Sequence, residues 1–138
     1  MIGKIVTGKS FGGAVRYLLG KEPGKAYILM SDGVELTDRQ ALIGSFEFQR
    51  RARPDVERVV GHISLSFHPD DDPRMSNQLM IDLARAYMQR MEITGTQYLV
   101  VRHTDTKHPH LHILYNRVRY DNSAVKTRNR RKRTLCKS

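Results

Sequence analysis

The sequence predicts an α+β fold: a mainly antiparallel sheet of about five strands with helices packed on one face. Three observations lead there. Phe11, Ala14, Val15 and Leu18, and again Met80, Leu83, Ala84, Tyr87 and Met91, recur at the spacing of amphipathic helices. Val59-Val-Gly-His-Ile-Ser-Leu-Ser-Phe67 alternates with period two, as a half-buried strand does. Taken end to end, the segments read β-α-β-α-β-α-β-β, and the last two strands follow one another without a helix between them.

Each element has its own signals. Ile2 to Thr7 reads as a short strand. Ser10 is a helix N-cap and Gly20 a stop for the first helix. Tyr17 lies on that helix but more than a quarter turn off its apolar stripe, at about 100° per residue. Gly13 shares its face one turn earlier, so Tyr17 is either an ordinary half-exposed tyrosine or one reserved for chemistry. Ala26 to Met30 reads as the second strand, with a turn at Ser31 to Gly33. Thr37-Asp-Arg-Gln40 is a capping-box pattern, opening a helix to about Arg51 ahead of Pro54. Arg50, Arg51 and Arg53 on its outer side are either a solvated face or phosphate contacts. In the third strand, Val60, His62, Ser64 and Ser66 share the face opposite Val59, Ile63, Leu65 and Phe67. Uncharged hydroxyls with a histidine suit either solvent or a bound phosphate. Asp70, Asp71 and Asp72 lie between two prolines and read as a solvated loop more readily than as metal ligands. Ser76 caps the third helix, and Gly95 ends the connection to strands over Thr96 to His103 and His110 to Arg119.

Composition narrows the partners. At 138 residues the chain is long enough for one domain with a real core. A net charge of +10 points to nucleic acid before any other partner. No apolar run approaches the roughly 20 residues needed to span a bilayer, and Met-Ile-Gly-Lys-Ile-Val has no signal-peptide core. A lone cysteine, Cys136, suits a reducing compartment. We therefore expect a cytoplasmic protein with no membrane insertion. The basic run Lys126 to Arg133 ends the alternating pattern, so residues 1–120 are expected to form the domain and 121–138 a basic tail.

The chemistry concentrates in His103-Thr-Asp105-Thr-Lys-His108-Pro-His110-Leu-His112, which holds four of the six histidines. On a strand, His110 and His112 project to one face while Leu111 and Ile113 go to the other. A hairpin through Thr104 to Pro109 folds His103 back beside them. Three neutral imidazoles with coordination positions left over make a catalytic kind of metal site rather than a closed structural one.

The pattern His103-x-Asp105 followed by His110-Leu-His112-Ile113 and Asn116-Arg117-Val118 resembles the metal-binding motif of the HUH endonucleases, in particular the conjugative relaxases and mobilisation nucleases of the MobA/MobL-like type. Ser10-Phe-Gly-Gly-Ala-Val-Arg-Tyr17 is similar to the segment that supplies their nucleophilic tyrosine. His62-Ile-Ser-Leu-Ser-Phe67 is similar to their second motif, whose serine holds DNA. The three appear in family order and span roughly residues 1–120.

The resemblance implies the HUH endonuclease (relaxase) fold. It also implies a site- and strand-specific DNA nickase that opens and reseals a transfer origin through a 5′-phosphotyrosyl intermediate. Tyr17 is then the nucleophile, and His103, His110 and His112 hold a divalent metal, Mg2+ or Mn2+. Asp105 supports the metal site or assists proton removal. Ser64 or Ser66 contacts the DNA backbone, with His62, His108, Arg16, Arg102 and Arg117 as further DNA contacts, although His108 is alternatively idle. Tyr27, Tyr115 and Tyr120 either stack bases or serve the structure. The expected partners are single-stranded or melted origin DNA and accessory mobilisation proteins. Family members usually continue further, so more chain is expected after Ser138. Two other readings use the same residues. One is a rolling-circle replication initiator, in which the tyrosine generally follows the histidines. The other is a single-stranded nucleic-acid-binding domain without catalysis.

Overall fold

The computed structural model describes residues 2–20, 26–68, 75–104 and 109–126. Its elements are β1 (Ile2–Gly8), α1 (Phe11–Leu19), β2 (Ala26–Asp32), α2 (Arg39–Arg50), β3 (Val60–Ser66), α3 (Asn77–Arg90), β4 (Tyr98–His103) and β5 (His110–Asn116), in the predicted order. The strands form one sheet, β1-β3-β5-β4-β2, with every neighbouring pair antiparallel. The fold is α+β, as expected.

Helix ends follow their capping chemistry. The Ser10 hydroxyl accepts from the Gly13 amide at 2.9 Å, and Ser76 does the same for Leu79 at 3.1 Å. Each satisfies an amide that a helix N-terminus leaves unpaired. Gly20 closes α1 at φ 67°, in a region that residues with a Cβ rarely enter. The cap of α2 is one residue later than the capping-box pattern suggests. Asp38 accepts from the Ala41 amide at 2.8 Å, while the Thr37 hydroxyl is turned to Glu35.

The helices do not lie on one face as expected; they cover both. α3 covers one face, its Met80, Ala84, Tyr87 and Met88 packing with Ile63, Leu65, Val100, Leu111 and Ile113. α1 and α2 cover part of the other. Phe11, Val15 and Leu18 of α1 and Leu42 and Phe46 of α2 pack with Val60, Leu99, Val101 and Leu114, and the Phe11 and Phe46 rings stack at 4.7 Å. The cause is in β4 and β5. Leu99-Val-Val101 and Ile113-Leu-Tyr115 are unbroken apolar runs, so both sides of these strands need cover. What α1 and α2 leave open is the portion of the sheet that carries the histidines.

Two buried polar side chains tie α2 to the sheet. The Asn116 amide donates to the Phe46 carbonyl at 3.1 Å and to the Gln97 side-chain oxygen at 3.0 Å. Gln97 in turn donates to the Gly33 and Ser45 carbonyls, both at 2.8 Å. Packing also continues past residue 120. Val118 bridges to Ala124, and Val125 is buried with the α3 cluster. The basic run from residue 127 lies outside the described residues.

Gly61 faces Tyr115 across β3 and β5, and a Cβ there would sit 2.1 Å from the phenol ring. Tyr115 is only 2% exposed and has little room to yield. Gly61→Ala should therefore destabilise the fold by about 1–3 kcal/mol or more, the usual range for overpacking a filled core. Chemical denaturation checks this. A change under about 0.5 kcal/mol, the range of neutral surface substitutions, would mean that the ring moves aside at little cost.

Candidate active site

The antiparallel register assembles the site. His103 of β4 pairs with His110 of β5, Val101 with His112, and on the other flank Ser66 pairs with His110 and Ser64 with His112. All the polar members of these rows lie on one face, because side chains at paired positions point the same way. The rings of His103 and His112 are 4.5 Å apart, those of His110 and His112 5.1 Å, and those of His103 and His110 5.3 Å. One nitrogen from each of the three lies within 4.8 Å of the others, so the group can hold a metal ion.

The surroundings prepare these rings for that role. His112 is 5% exposed, and its pKa is pushed down to about 3, chiefly by burial and then by the neighbouring His62, His103 and His110. It is therefore neutral at physiological pH, as a ligand must be. Its Nδ1 lies 2.8 Å from His62 Nε2 and 3.3 Å from Ser64 Oγ, and Nε2 stands outside both contacts. Burial, then the charge of His103, lowers the His62 pKa as well. His103 Nε2 donates to the Leu18 carbonyl at 2.6 Å, which leaves the lone pair on Nδ1. Partners of this kind set the tautomer and ring orientation of metal-binding histidines. Three imidazoles fit a divalent ion that retains open positions.

Leu18 belongs to α1, and so does Tyr17. The apolar stripe of α1 is fully buried at Phe11, Val15 and Leu18, whereas Tyr17 is 67% exposed. Its ring meets His62 and His112 edge-on, with centroids at 6.0 and 6.2 Å. The off-stripe position read from the sequence thus faces the histidines.

The other candidates divide. Ser64 and Ser66 share the histidine face. Arg16 is exposed on α1, its guanidinium lying back over Gly12. Arg102 is on the opposite face, as its neighbours in β4 dictate, and donates to Asn77 at the start of α3 at 2.9 Å. Arg117 donates to the Val125 and Arg58 carbonyls at 3.0 and 2.8 Å, joining chain segments at the end of β5. Asp105, His108 and the run Asp70 to Asp72 lie outside the described residues. Arg50 donates to the Lys9 carbonyl at 3.0 Å, and Arg53 pairs with Asp55 at 2.8 Å. Tyr115 is in the core, the Tyr120 hydroxyl donates to Asp32 at 2.6 Å, and Tyr27 is 49% exposed on β2.

Sequence reasoning missed two parts of this site. The Leu18 carbonyl is a backbone group and leaves no trace in composition. Exposed Lys4 of β1 pairs with Ser64, which extends the Ser64–His112 row by a cation. Its alternation, with Ile2 and Val6, against Gly3 and Ile5 was visible, but which strand lay beside it was not.

The lowered histidine pKa values carry a stability consequence in metal-free protein. The unfolded chain takes up a proton on His112 near pH 6.5, while the folded chain resists until about pH 3. Stability is full above about pH 6.5 and falls as the pH drops, with a slope approaching about 1.4 kcal/mol per unit from this group alone. His62 adds in the same direction. Urea denaturation in chelator at pH 7.5 and 5.5 should show the loss, and His112→Gln should flatten it. A flat wild-type profile would contradict the buried, neutral state.

Fold and site together define an α+β domain that presents a three-histidine metal group on a sheet face. Comparison with known families agrees: the relaxase family, MobA/VirD2-like nuclease domain, matches residues 17–138. The chain belongs to this family and is a relaxase nuclease domain, with the DNA-nicking role which that membership supports. No curated protein matches it. Among the described residues no helix is long and apolar enough to cross a membrane.

Proposed function

We propose that this domain nicks and rejoins one strand of DNA at the transfer origin of a plasmid or mobilisable element. Tyr17 is the nucleophile, and His103, His110 and His112 hold the metal. The observation that supports this best is the edge-on approach of the Tyr17 ring to His62 and His112, on the face shared by the three metal-competent histidines.

The chemistry follows from the groups present. A phosphodiester is an anion and resists attack. When bound, a divalent ion supplies Lewis-acid stabilisation of the charge that develops on the phosphate. An imidazole ligand brings no negative charge of its own, so three of them would leave that positive charge undiminished. The Tyr17 phenol gives up its proton as it attacks. The Tyr17 Oη–P bond forms, the P–O3′ bond breaks, and the leaving oxygen ends as a free 3′-hydroxyl. Asp105 is the carboxylate that the family resemblance offers as proton acceptor. Phenolate is itself a competent leaving group. The 3′-hydroxyl can therefore attack the phosphotyrosine later and reseal the strand, whereas hydrolysis by water would discard that bond. Ser64, Ser66 and Lys4 lie on the same face and supply hydroxyls and a cation for the DNA backbone. The strand must be single or melted for its phosphate to reach the sheet. Mg2+ or Mn2+ is the proposed metal, accessory mobilisation proteins are the proposed partners, and the cytoplasm is the proposed compartment.

The test is incubation with single-stranded oligonucleotides tiling both strands of the cognate element's transfer region, with Mg2+ or Mn2+, followed by a denaturing gel. A protein–DNA band that survives denaturation on one strand alone is expected. DNA binding without any such band would leave a sheet that only holds nucleic acid.

A further inference from the structure

We propose that His62 is a positioning residue for His112. On this reading it accepts a hydrogen bond from His112 Nδ1 and so presents the Nε2 lone pair to the metal, rather than serving as a DNA contact. The inference rests on the reading that His112 is a metal ligand. It adds a role for a residue which the family resemblance places at the DNA.

His62 of β3 pairs in register with Leu114, and its ring leans diagonally to His112. The two rings are 4.9 Å apart and tilted by 50°, with Nε2 of one 2.8 Å from Nδ1 of the other. Two neutral imidazoles can share this contact in only two ways, since each carries one N–H. If His62 Nε2–H donates, His112 must keep its own proton on Nε2, and neither of its nitrogens can then bind a metal. If His112 Nδ1–H donates, its Nε2 carries the lone pair and the ring is a ligand. Metal loading therefore selects the second arrangement. Ser64 Oγ, 3.3 Å from the same Nδ1, can accept in that arrangement too.

The choice of partner has a chemical consequence. Metal-binding histidines usually donate to a carboxylate, a carbonyl or water. Here His103 donates to a carbonyl and His112 to an imidazole, and both partners are neutral. With no carboxylate in these two contacts, the ligands are not made more anionic and the ion's charge stays available to the phosphate. His62 also meets the Tyr17 ring edge-on, so the residue that orients the ligand borders the nucleophile as well. With Nε2 committed to His112, only Nδ1 of His62 remains for any other contact.

The experiment compares wild type, His62→Leu and His62→Gln. Mn2+ affinity is measured by calorimetry, and affinity for a fluorescent oligothymidylate is measured in chelator. His62→Leu should weaken Mn2+ binding about 10–100-fold, the usual cost of losing such a partner. His62→Gln offers a side-chain oxygen as acceptor and should recover most of it. Metal-free oligothymidylate affinity should be the same in all three. Mn2+ binding by His62→Leu equal to wild type would overturn the inference, and so would a loss of metal-free DNA affinity with Mn2+ affinity intact. If wild type takes up no Mn2+, the metal reading fails and this one with it. If wild type binds and His62→Leu matches it, only this inference goes. Nitrogen-15 NMR of Mg2+-loaded wild type needs no substitution. It should find the His112 proton on Nδ1, and a proton on Nε2 would overturn the assignment.

Discussion

Tyr17→Phe should abolish the covalent protein–DNA adduct and reduce nicking by about four orders of magnitude or more, the scale on which loss of a nucleophile acts. The substitution removes one oxygen and keeps the ring. Tyr17 is 67% exposed, so stability should change by less than about 0.5 kcal/mol. Metal binding should be unchanged, because the three histidines keep their partners. Single-stranded DNA affinity should also persist, since the phosphate contacts come from other groups. Denaturing gels with labelled origin DNA, alongside gel shifts in chelator, separate the two effects. A normal adduct yield from Tyr17→Phe would end its assignment as nucleophile. Because α1 carries both Tyr17 and the Leu18 carbonyl that accepts from His103, the fold of the variant should be checked by its unfolding midpoint.

His110→Ala should lose metal and cleavage together. The side chain is one of three histidines, drawn from facing strands, that could hold a metal, and two histidines cannot enforce the same site. Lewis-acid stabilisation is worth several kcal/mol, and about 1.4 kcal/mol is a factor of ten. Cleavage should therefore fall at least about a hundredfold. Chelation of wild type should have the same effect and addition of Mg2+ or Mn2+ should reverse it. His110→Ala should bind metal too weakly for calorimetry. Unimpaired cleavage by wild type in chelator would remove the metal from the reaction. Cleavage lost in His110→Ala with metal affinity retained would give His110 some other duty on that face.

Much of this molecule was readable before any coordinates. Helices announced themselves through the spacing of Phe11, Val15 and Leu18 and of Met80, Ala84 and Tyr87, and all six are buried. Caps at Ser10 and Ser76 behaved as their side-chain oxygens suggest. His110 and His112 had to share a face once the segment was a strand, and His103 had to fold back if the last two strands paired. All of these are local facts. They depend on periods of 3.6 and 2 and on a short connection, which neighbouring residues encode by themselves.

What stayed out of reach was everything that depends on which strands become neighbours. The placement of β3 beside β5 brings His62 within 2.8 Å of His112 across 50 positions of chain. The packing of α1 over the sheet brings a backbone carbonyl to His103 across 85. The cover of the histidine face by α1 and α2 follows from apolar runs in β4 and β5, which the expected one-sided layer left unpaired. Arg102 shows the same limit from the other side: a cation next to His103 in sequence is, by strand alternation, on the far face. The amino-acid order alone determined the elements, the histidine triplet and the family. The tertiary structure decided the strand order and both coverings of the sheet. It also decided which groups stand beside the histidine nitrogens, because those contacts join residues far apart in the chain.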